Sequence, residues 1–228
     1  MYESFADEYA QHSERSPANR YYDRPAILDL AGDVAGLRVL ELGCAAGALS
    51  EHLVDRGASL LGLDREPRMV ELAGHRLQDR ARFAVADLAD PLTMVDSGSM
   101  DLVVASLVLH YLEDWSNALA ELRRCLAPGG SLVMSVHHPA ADWVWAGHPE
   151  YLATTLINDT WQLGEQSVEV SYYRRPLSEV FGQLRDAGFV VDQLTEPRPL
   201  PELRDVDPRA FDDMNTKPLF LYLKARAA

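Results

Sequence analysis

The sequence predicts an α/β protein with a doubly wound, mostly parallel seven-stranded sheet, helices on both faces and an inserted cap after strand five. Two observations predict it. Short apolar segments alternate with segments of helical period five times, and the chain then ends in a hairpin-like pair of strands. In addition, the apolar segment 38–42 runs directly into a small-residue loop and a helix, as a central parallel strand does.

The elements follow from the same patterns, taken along the chain. The predicted strands are 38–42, 59–63, 81–86, 100–106, 131–136, 189–194 and 219–225. The predicted helices are 49–56, one starting near 67, 115–126 and 177–187, with a proline-rich excursion before the last strand. The Pro-Gly-Gly triplet at 128–130 is interpreted as a helix stop and turn.

Composition limits the class of protein. A chain of 228 residues with 47% hydrophobic residues fits a single domain over 1–228. Its formal charge of -14 repels a phosphate backbone, so no nucleic-acid partner is expected. Because no signal peptide or long apolar run is evident, we expect a cytoplasmic protein without membrane association. Cys44 and Cys125 lie on segments that do not suggest a bridge.

Two segments fall outside the alternating pattern. Residues 1–30 are polar and rich in tyrosine, which predicts a short helix, a loop and a second helix that Pro25 begins; this arm is expected to act as a lid, or to cover hydrophobic surface. Residues 137–175 are aromatic and weakly periodic, which predicts a cap over a substrate site. The alternative for the cap is a satellite hydrophobic cluster that packs the insertion onto the sheet.

Three acidic residues come at or near the ends of the first three strands. They are Glu41, two residues before Gly43, then Asp64 and Asp87. Because parallel strands deliver their carboxyl ends to one edge, these carboxylates are expected to share one crevice. Asp64 stands about twenty residues past Gly43, a spacing typical of a ribose acceptor; the alternative is a cap on the helix near Pro67.

The glycine loop does not fit a dinucleotide pattern. Counting from Gly43, the second and third glycines of G-x-G-x-x-G are Ala45 and Ala48. The surviving glycine, Gly47, comes one residue too early for that pattern. An NAD(P)-dependent oxidoreductase is therefore only an alternative.

The loop instead resembles that of the class I S-adenosylmethionine-dependent methyltransferases of the small-molecule group. Their Asp/Glu-x-Gly-x-Gly-x-Gly pattern is matched by Glu41, Gly43 and Gly47, with Ala45 in place of the middle glycine. The segments 106–110 and 126–130 match as well. The resemblance implies a Rossmann-like methyltransferase fold and S-adenosyl-L-methionine as cofactor, with S-adenosyl-L-homocysteine as product. It also implies methyl transfer to a small organic acceptor; the alternative is a protein of this fold that binds the cofactor without transferring its methyl group.

The resemblance further implies roles for individual residues. Asp64 is expected to hold the ribose and Asp87 with Leu88 the adenine, while the arm closes over the amino-acid end. The full expected cofactor set is Tyr9, Tyr22, Arg24, Glu41, Gly43, Cys44, Gly47, Asp64, Arg65, Met69, Asp87, Leu88 and Ser106. The expected substrate set is His110, Trp143, Trp145 and Tyr172.

A general base is expected where strand five meets the cap. His137 and His138 are neighbours there, and since successive strand residues face opposite sides, one of them reaches the crevice. His138, before Pro139, is predicted to be catalytic; the alternative is a hydrogen-bonded structural residue. No metal is required, and a monomer or homodimer is expected.

Overall fold

The structure, a computed structural model, describes residues 6–163 and 166–227. Residues 1–5 of the predicted arm and 164–165 of the predicted cap lie outside the described residues. None of the helices that the structure describes is long and apolar enough to cross a bilayer.

Nine strands and nine α-helices occur in these two ranges. The strands are β1 Arg38–Leu42, β2 Ser59–Asp64, β3 Arg82–Val85, β4 Met100–Ser106, β5 Leu126–His137, β6 Thr155–Leu163, β7 Gln166–Arg174, β8 Phe189–Thr195 and β9 Phe220–Ala227. The helices are α1 Ala6–Arg15, α2 Arg24–Ala31, α3 Ala48–Asp55, α4 Pro67–Leu77, α5 Ser116–Cys125, α6 Pro139–Trp145, α7 Leu177–Asp186, α8 Leu203–Val206 and α9 Pro208–Thr216. A π-helical turn precedes α2 at Asn19–Asp23, and 3-10 turns occur at Gln78–Arg80 and Leu109–Tyr111.

Seven strands form one sheet in the order β3-β2-β1-β4-β5-β9-β8. All neighbours are parallel except at β9, which is antiparallel to both β5 and β8. The predicted fold class is confirmed, including the final antiparallel pair. The strand order reverses between β1 and β4, which is where an open α/β sheet leaves a ligand crevice at its carboxyl edge.

The sheet has a core on each face because β1 buries apolar side chains on both of its sides. Leu40 and Leu42 belong to the cluster that α5 and α7 cover, whereas Val39 belongs to the cluster beneath α2 and α3. This alternation follows from the two-residue period of a strand. Both faces are buried, as in other doubly wound sheets.

The segment around the Pro-Gly-Gly triplet differs from the prediction. α5 ends at Cys125 and β5 already begins at Leu126, so residues 128–130 belong to the strand and not to a turn before it. The register between β4 and β5 shifts between Met100, which pairs with Leu126, and Leu102, which pairs with Ser131. The extra residues of β5 therefore form a bulge. Gly129 takes a φ of 81° there, a conformation that favours glycine.

The insertion after β5 contains regular structure that the sequence analysis did not predict. It consists of α6 and an antiparallel pair, β6 and β7, which is separate from the main sheet. Val168, Val170 and Tyr172 are buried on one side of β7, and the residues between them are more exposed. The pair therefore has an apolar face and packs it against the main domain.

Candidate active site

A crevice opens at the carboxyl edge of the sheet, at the reversal between β1 and β4. Its empty volume is about 1190 Å³, including space open to solvent, and small-molecule sites in proteins occupy roughly 300–1,000 Å³. The residues that line it, called the crevice wall below, are Tyr9, Ser13, Asn19, Asp23, Arg24, Glu41, Gly43, Cys44, Ala45, Ala46, Ala48, Leu49, Leu63, Asp64, Arg65, Met69, Ala86, Asp87, Leu88, Ser106, Leu107, Val108, Tyr111 and Leu112. Glu41, Asp64 and Asp87 thus lie in one crevice.

The loop after β1 has backbone conformations that few residues adopt. Gly43 has a φ of 64°, and a Cβ atom there would lie 2.7 Å from Cγ2 of Val108. Ala45, which stands where the family pattern has its middle glycine, has a φ of 45°. An alanine in the left-handed conformation is strained by about 1 kcal/mol. The Ala45 N–H donates a hydrogen bond to Oδ2 of Asp64 at 2.9 Å, which helps to stabilise this conformation.

Gly47 allows α4 to pack closely against the start of α3, and it is not among the residues that line the crevice. Its φ is 80°, and a Cβ atom would lie 3.0 Å from Cδ1 of Leu77 and 3.2 Å from Cβ of Ala73, both on α4. The glycine therefore lets the first turn of α3 pack closely against α4.

Asp64 organises the loop through both of its oxygens. Oδ2 accepts the Ala45 N–H, and Oδ1 accepts the Glu66 N–H at 2.9 Å, just before α4. Burial raises the pKa of the Asp64 carboxyl, and these two backbone donors oppose that effect. Asp64 thus closes the turn before α4 without capping the helix, whose N-cap residue is Glu66 and has no side-chain cap, and the carboxyl lines the crevice.

Glu41 is buried beneath the same loop. It is 2% exposed, and its Oε2 accepts the Ser50 hydroxyl at 2.5 Å. Burial, reinforced by the nearby Asp64 carboxyl, raises the pKa of Glu41 to about 8, although the Ser50 hydrogen bond opposes this. A cation bound in the crevice would favour the ionised form of Glu41.

Glu41→Gln is expected to flatten the pH dependence of folding stability. Because the pKa of Glu41 is raised, its contribution is fully present below its ordinary pKa and is lost as the pH rises through about 8. The variant should gain stability over wild type as the pH rises from about 5 to 9, by a few kcal/mol at most. Thermal unfolding across this range measures it, with the exposed Glu202→Gln as control. A constant difference in melting temperature would contradict the assignment.

Asp23 lies in the crevice wall, and the sequence analysis missed it. It is 3% exposed, and its carboxyl accepts the Ser106 hydroxyl at 2.5 Å and the Ser135 hydroxyl at 2.7 Å. Burial raises the pKa of Asp23. These bonds tie the π-helical turn to the ends of β4 and β5. The sequence signal that could have indicated Asp23 is its position directly before Arg24, a predicted cofactor residue at the start of α2.

The helix α1 lies across the mouth of the crevice. Ala10 packs on Ala46 and Met69, and Arg68 of α4 pairs with Asp7 at 2.9 Å. Tyr9 of the same helix stacks on Trp161 of β6 with ring centroids 6.3 Å apart. The arm and the cap therefore meet over the wall.

The comparisons with known proteins agree with this geometry. A family model described as "Methyltransferase domain" matches residues 40–134. The chain is 24% identical to an uncharacterized protein of Haemophilus influenzae, over 91% of this chain and 88% of that protein. It is 32% identical to the ubiquinone biosynthesis O-methyltransferase of Xanthomonas oryzae pv. oryzae, over 63% of this chain and 67% of that enzyme. The chain belongs to the class I S-adenosylmethionine-dependent methyltransferases.

A solved structure supports the fold of this methyltransferase. An S-adenosylmethionine dependent methyltransferase from Mesorhizobium loti superimposes with a TM-score of 0.71 at 23% identity, over 94% of this chain and 99% of the other. S-adenosylmethionine is the cofactor, and it supplies a methyl group already activated by the sulfonium.

The crevice wall of the methyltransferase fits this cofactor in its chemistry. Acidic groups suit its hydroxyls and cationic centres, and the Arg24 guanidinium suits a carboxylate. Met69 and Leu88 offer apolar surface to a base. Of the predicted cofactor set, the wall contains Tyr9, Arg24, Glu41, Gly43, Cys44, Asp64, Arg65, Met69, Asp87, Leu88 and Ser106.

The structure places the other predicted site residues outside the crevice wall. Tyr22 is 1% exposed and packs in the core against Phe220 and Tyr222, because its position in the π-helical turn faces the sheet. Trp143 donates to the Pro149 carbonyl within the cap at 2.7 Å, and Trp145 is 56% exposed.

The three remaining residues occupy positions behind the wall or beyond it. His138 accepts the Ala140 N–H at the start of α6 and pairs with Glu196 at 2.8 Å. His110 and Tyr172 are 2% and 3% exposed and contact each other behind the wall.

Proposed function

We propose that this enzyme transfers the methyl group of S-adenosylmethionine to the hydroxyl of a small organic acceptor. The observation that carries the proposal is the convergence of Glu41, Asp64 and Asp87 with the arm residue Tyr9 in one crevice. The Xanthomonas relative is named for O-methylation in ubiquinone biosynthesis, which supports an oxygen acceptor. The formal charge of -14 argues against a nucleic-acid acceptor.

We assign distinct roles to the two segments that meet over the crevice. The arm, residues 1–30, acts as a lid on the cofactor, and its contacts with the glycine loop and α4 support this role. The insertion, residues 137–175, covers the acceptor. The stacking of Tyr9 on Trp161 links the two, so that closure over one ligand favours closure over the other. The proposal includes a single domain, a cytoplasmic location and a monomer or homodimer.

Asp64→Ala is expected to weaken S-adenosylmethionine binding by roughly tenfold or more. The change removes the proposed ribose acceptor and also the partner of the Ala45 and Glu66 N–H groups, each hydrogen bond to a charged group being worth about 1.5–3 kcal/mol. Isothermal titration calorimetry with S-adenosylmethionine and with its demethylated product measures it. Asp79→Ala, on an exposed 3-10 turn, is the control. An unchanged affinity would remove the ribose assignment.

A labelled-methyl assay separates transfer from binding alone. Wild-type enzyme is incubated with methyl-labelled cofactor and a panel of phenols, alcohols, amines and thiols. Stoichiometric transfer to a hydroxyl supports the proposal. Transfer only to amines or thiols would overturn the acceptor class, and binding without any transfer would favour a protein that uses the cofactor in another way.

A further inference from the structure

A buried group of polar rings lies behind the crevice wall, where β4 and β5 end. It comprises His110, His137, Asp142 and Tyr172 and is called the histidine cluster here. The ring centroids of His137 lie 4.6 Å from His110 and 4.2 Å from Tyr172. His110 directly precedes Tyr111, which lines the crevice. The cluster therefore adjoins the crevice through Tyr111, whose ring centroid lies 4.5 Å from that of His110.

Strand geometry puts His137 on the same side of β5 as Ser135, whereas His138 faces Glu196. Ser135 and His137 are two residues apart on β5, so their side chains share one side of the strand. The Ser135 hydroxyl donates to Asp23, a residue of the crevice wall. His138 faces the other way, toward Glu196.

A hydrogen bond to Asp142 orients the His137 ring and, with an ionised carboxylate, favours the tautomer protonated at Nδ1. Nδ1 of His137 lies 3.2 Å from Oδ1 of Asp142. An ionised carboxylate only accepts, so Nδ1 is the donor and Nε2 keeps its lone pair. The His137 side chain is 18% accessible, so it is the more exposed of the two histidines in the cluster.

Two polar atoms of the cluster are buried and have no hydrogen-bond partner in the part of the chain that the structure describes. They are Oδ2 of Asp142 and Nδ1 of His110. An unsatisfied buried polar group costs about 1–3 kcal/mol. Burial, together with the nearby Arg175 and His137, holds the pKa of His110 well below its ordinary value, so this ring is a neutral donor or acceptor.

We propose that His137 is the general base that takes the proton of the acceptor hydroxyl, that Asp142 positions it, and that His110 and Tyr172 hold its ring from behind. The proposal rests on the proposed O-methylation. The O–H bond breaks and its proton goes to Nε2 of His137, while an oxygen electron pair forms the bond to the methyl carbon. The pair of the breaking C–S bond stays on sulfur. The proton then leaves to solvent.

The first test needs no acceptor. Full-length protein with ¹⁵N-labelled histidine is examined by NMR with the demethylated cofactor bound, and His137→Gln identifies the resonances. We expect His137 to carry its proton on Nδ1, and Asp142→Asn to shift part of that proton to Nε2, since an amide oxygen holds the Nδ1 proton less strongly than a carboxylate does. A proton on Nε2 in wild type, or an unchanged tautomer ratio in Asp142→Asn, would overturn the proposal.

The second test uses whichever hydroxyl compound of the phenol and alcohol panel is methylated. We expect His137→Gln to lower kcat about a hundredfold, within the range of general-base catalysis, with little change in KM for S-adenosylmethionine. The exposed His75→Gln is the control. A normal kcat in His137→Gln, or an equal loss in His138→Gln, would overturn the assignment while leaving the proposed function intact. If the wild-type enzyme methylated none of these compounds, that result would count against the proposed function. The NMR experiment would still show which nitrogen of His137 carries the proton.

Discussion

Gly43→Ala is expected to weaken S-adenosylmethionine binding by about a hundredfold or more. The φ of 64° disfavours any side chain, and the new Cβ atom would lie 2.7 Å from Cγ2 and 2.9 Å from Cβ of Val108. Left-handed strain of about 1–2 kcal/mol adds to an overpacking cost of about 1–3 kcal/mol. The loop or the turn after β4 must then move, and both belong to the crevice wall. Calorimetric titration and the melting temperature measure the result.

Two further variants separate steric from backbone effects. Gly74→Ala, in α4, has no atom within 4 Å of the new Cβ and an ordinary helical backbone, so it should be neutral or slightly stabilising. Adding Val108→Ala to Gly43→Ala removes the closest contact and should recover part of the affinity, while the backbone strain persists. Equal affinities of Gly43→Ala and wild type would show that the loop is not confined as described.

Trp115→Ala is expected to lower the free energy of unfolding by about 3–5 kcal/mol, which corresponds to roughly 10 °C in melting temperature. Trp115 is fully buried, its indole N–H donates to the Leu109 carbonyl at 2.7 Å, and Arg175 lies over its ring with its guanidinium carbon 4.3 Å from the centroid. The truncation leaves a cavity beneath the turn that carries His110. Thermal and denaturant unfolding measure the loss.

The chain provides its own matched controls for this prediction. Trp145→Ala removes a tryptophan that is 56% exposed, so its effect should stay within about 0.5 kcal/mol. Trp115→Phe keeps most of the apolar volume but removes one of the two donors to the Leu109 carbonyl, which keeps the Leu112 N–H, so an intermediate loss is expected. If Trp115→Ala and Trp145→Ala behaved alike, the described packing of α5 would be wrong.

The sheet could be predicted from sequence because its signals are local. Segments such as 38–42 and 100–106 are mostly apolar and mostly buried, as is typical of strands covered on both faces. The acids of the crevice could be predicted because parallel strands place successive carboxyl ends at one edge. Glu41, Asp64 and Asp87 are all in the crevice wall.

The cap was harder to predict because its signals are short and mixed. Val168, Val170 and Tyr172 alternate with more polar residues, which is a strand pattern, but polar and aromatic residues around it obscured the period. The helices α8 and α9 lie in the proline-rich excursion, where Pro208 begins α9 instead of ending a helix. The sequence did not predict these two helices because prolines usually indicate a break in helical structure.

The sequence by itself determined where the functional residues stand along the chain: a glycine loop follows the first strand, and acidic residues stand at or near the ends of the next two strands. Tertiary structure decided which side chains meet. Asp23 reaches Ser106 and Ser135 across 83 and 112 residues, and Tyr22, its neighbour, turns into the core. The physical reason is that strand periodicity is a local property, whereas burial of a carboxyl depends on partners supplied by distant elements.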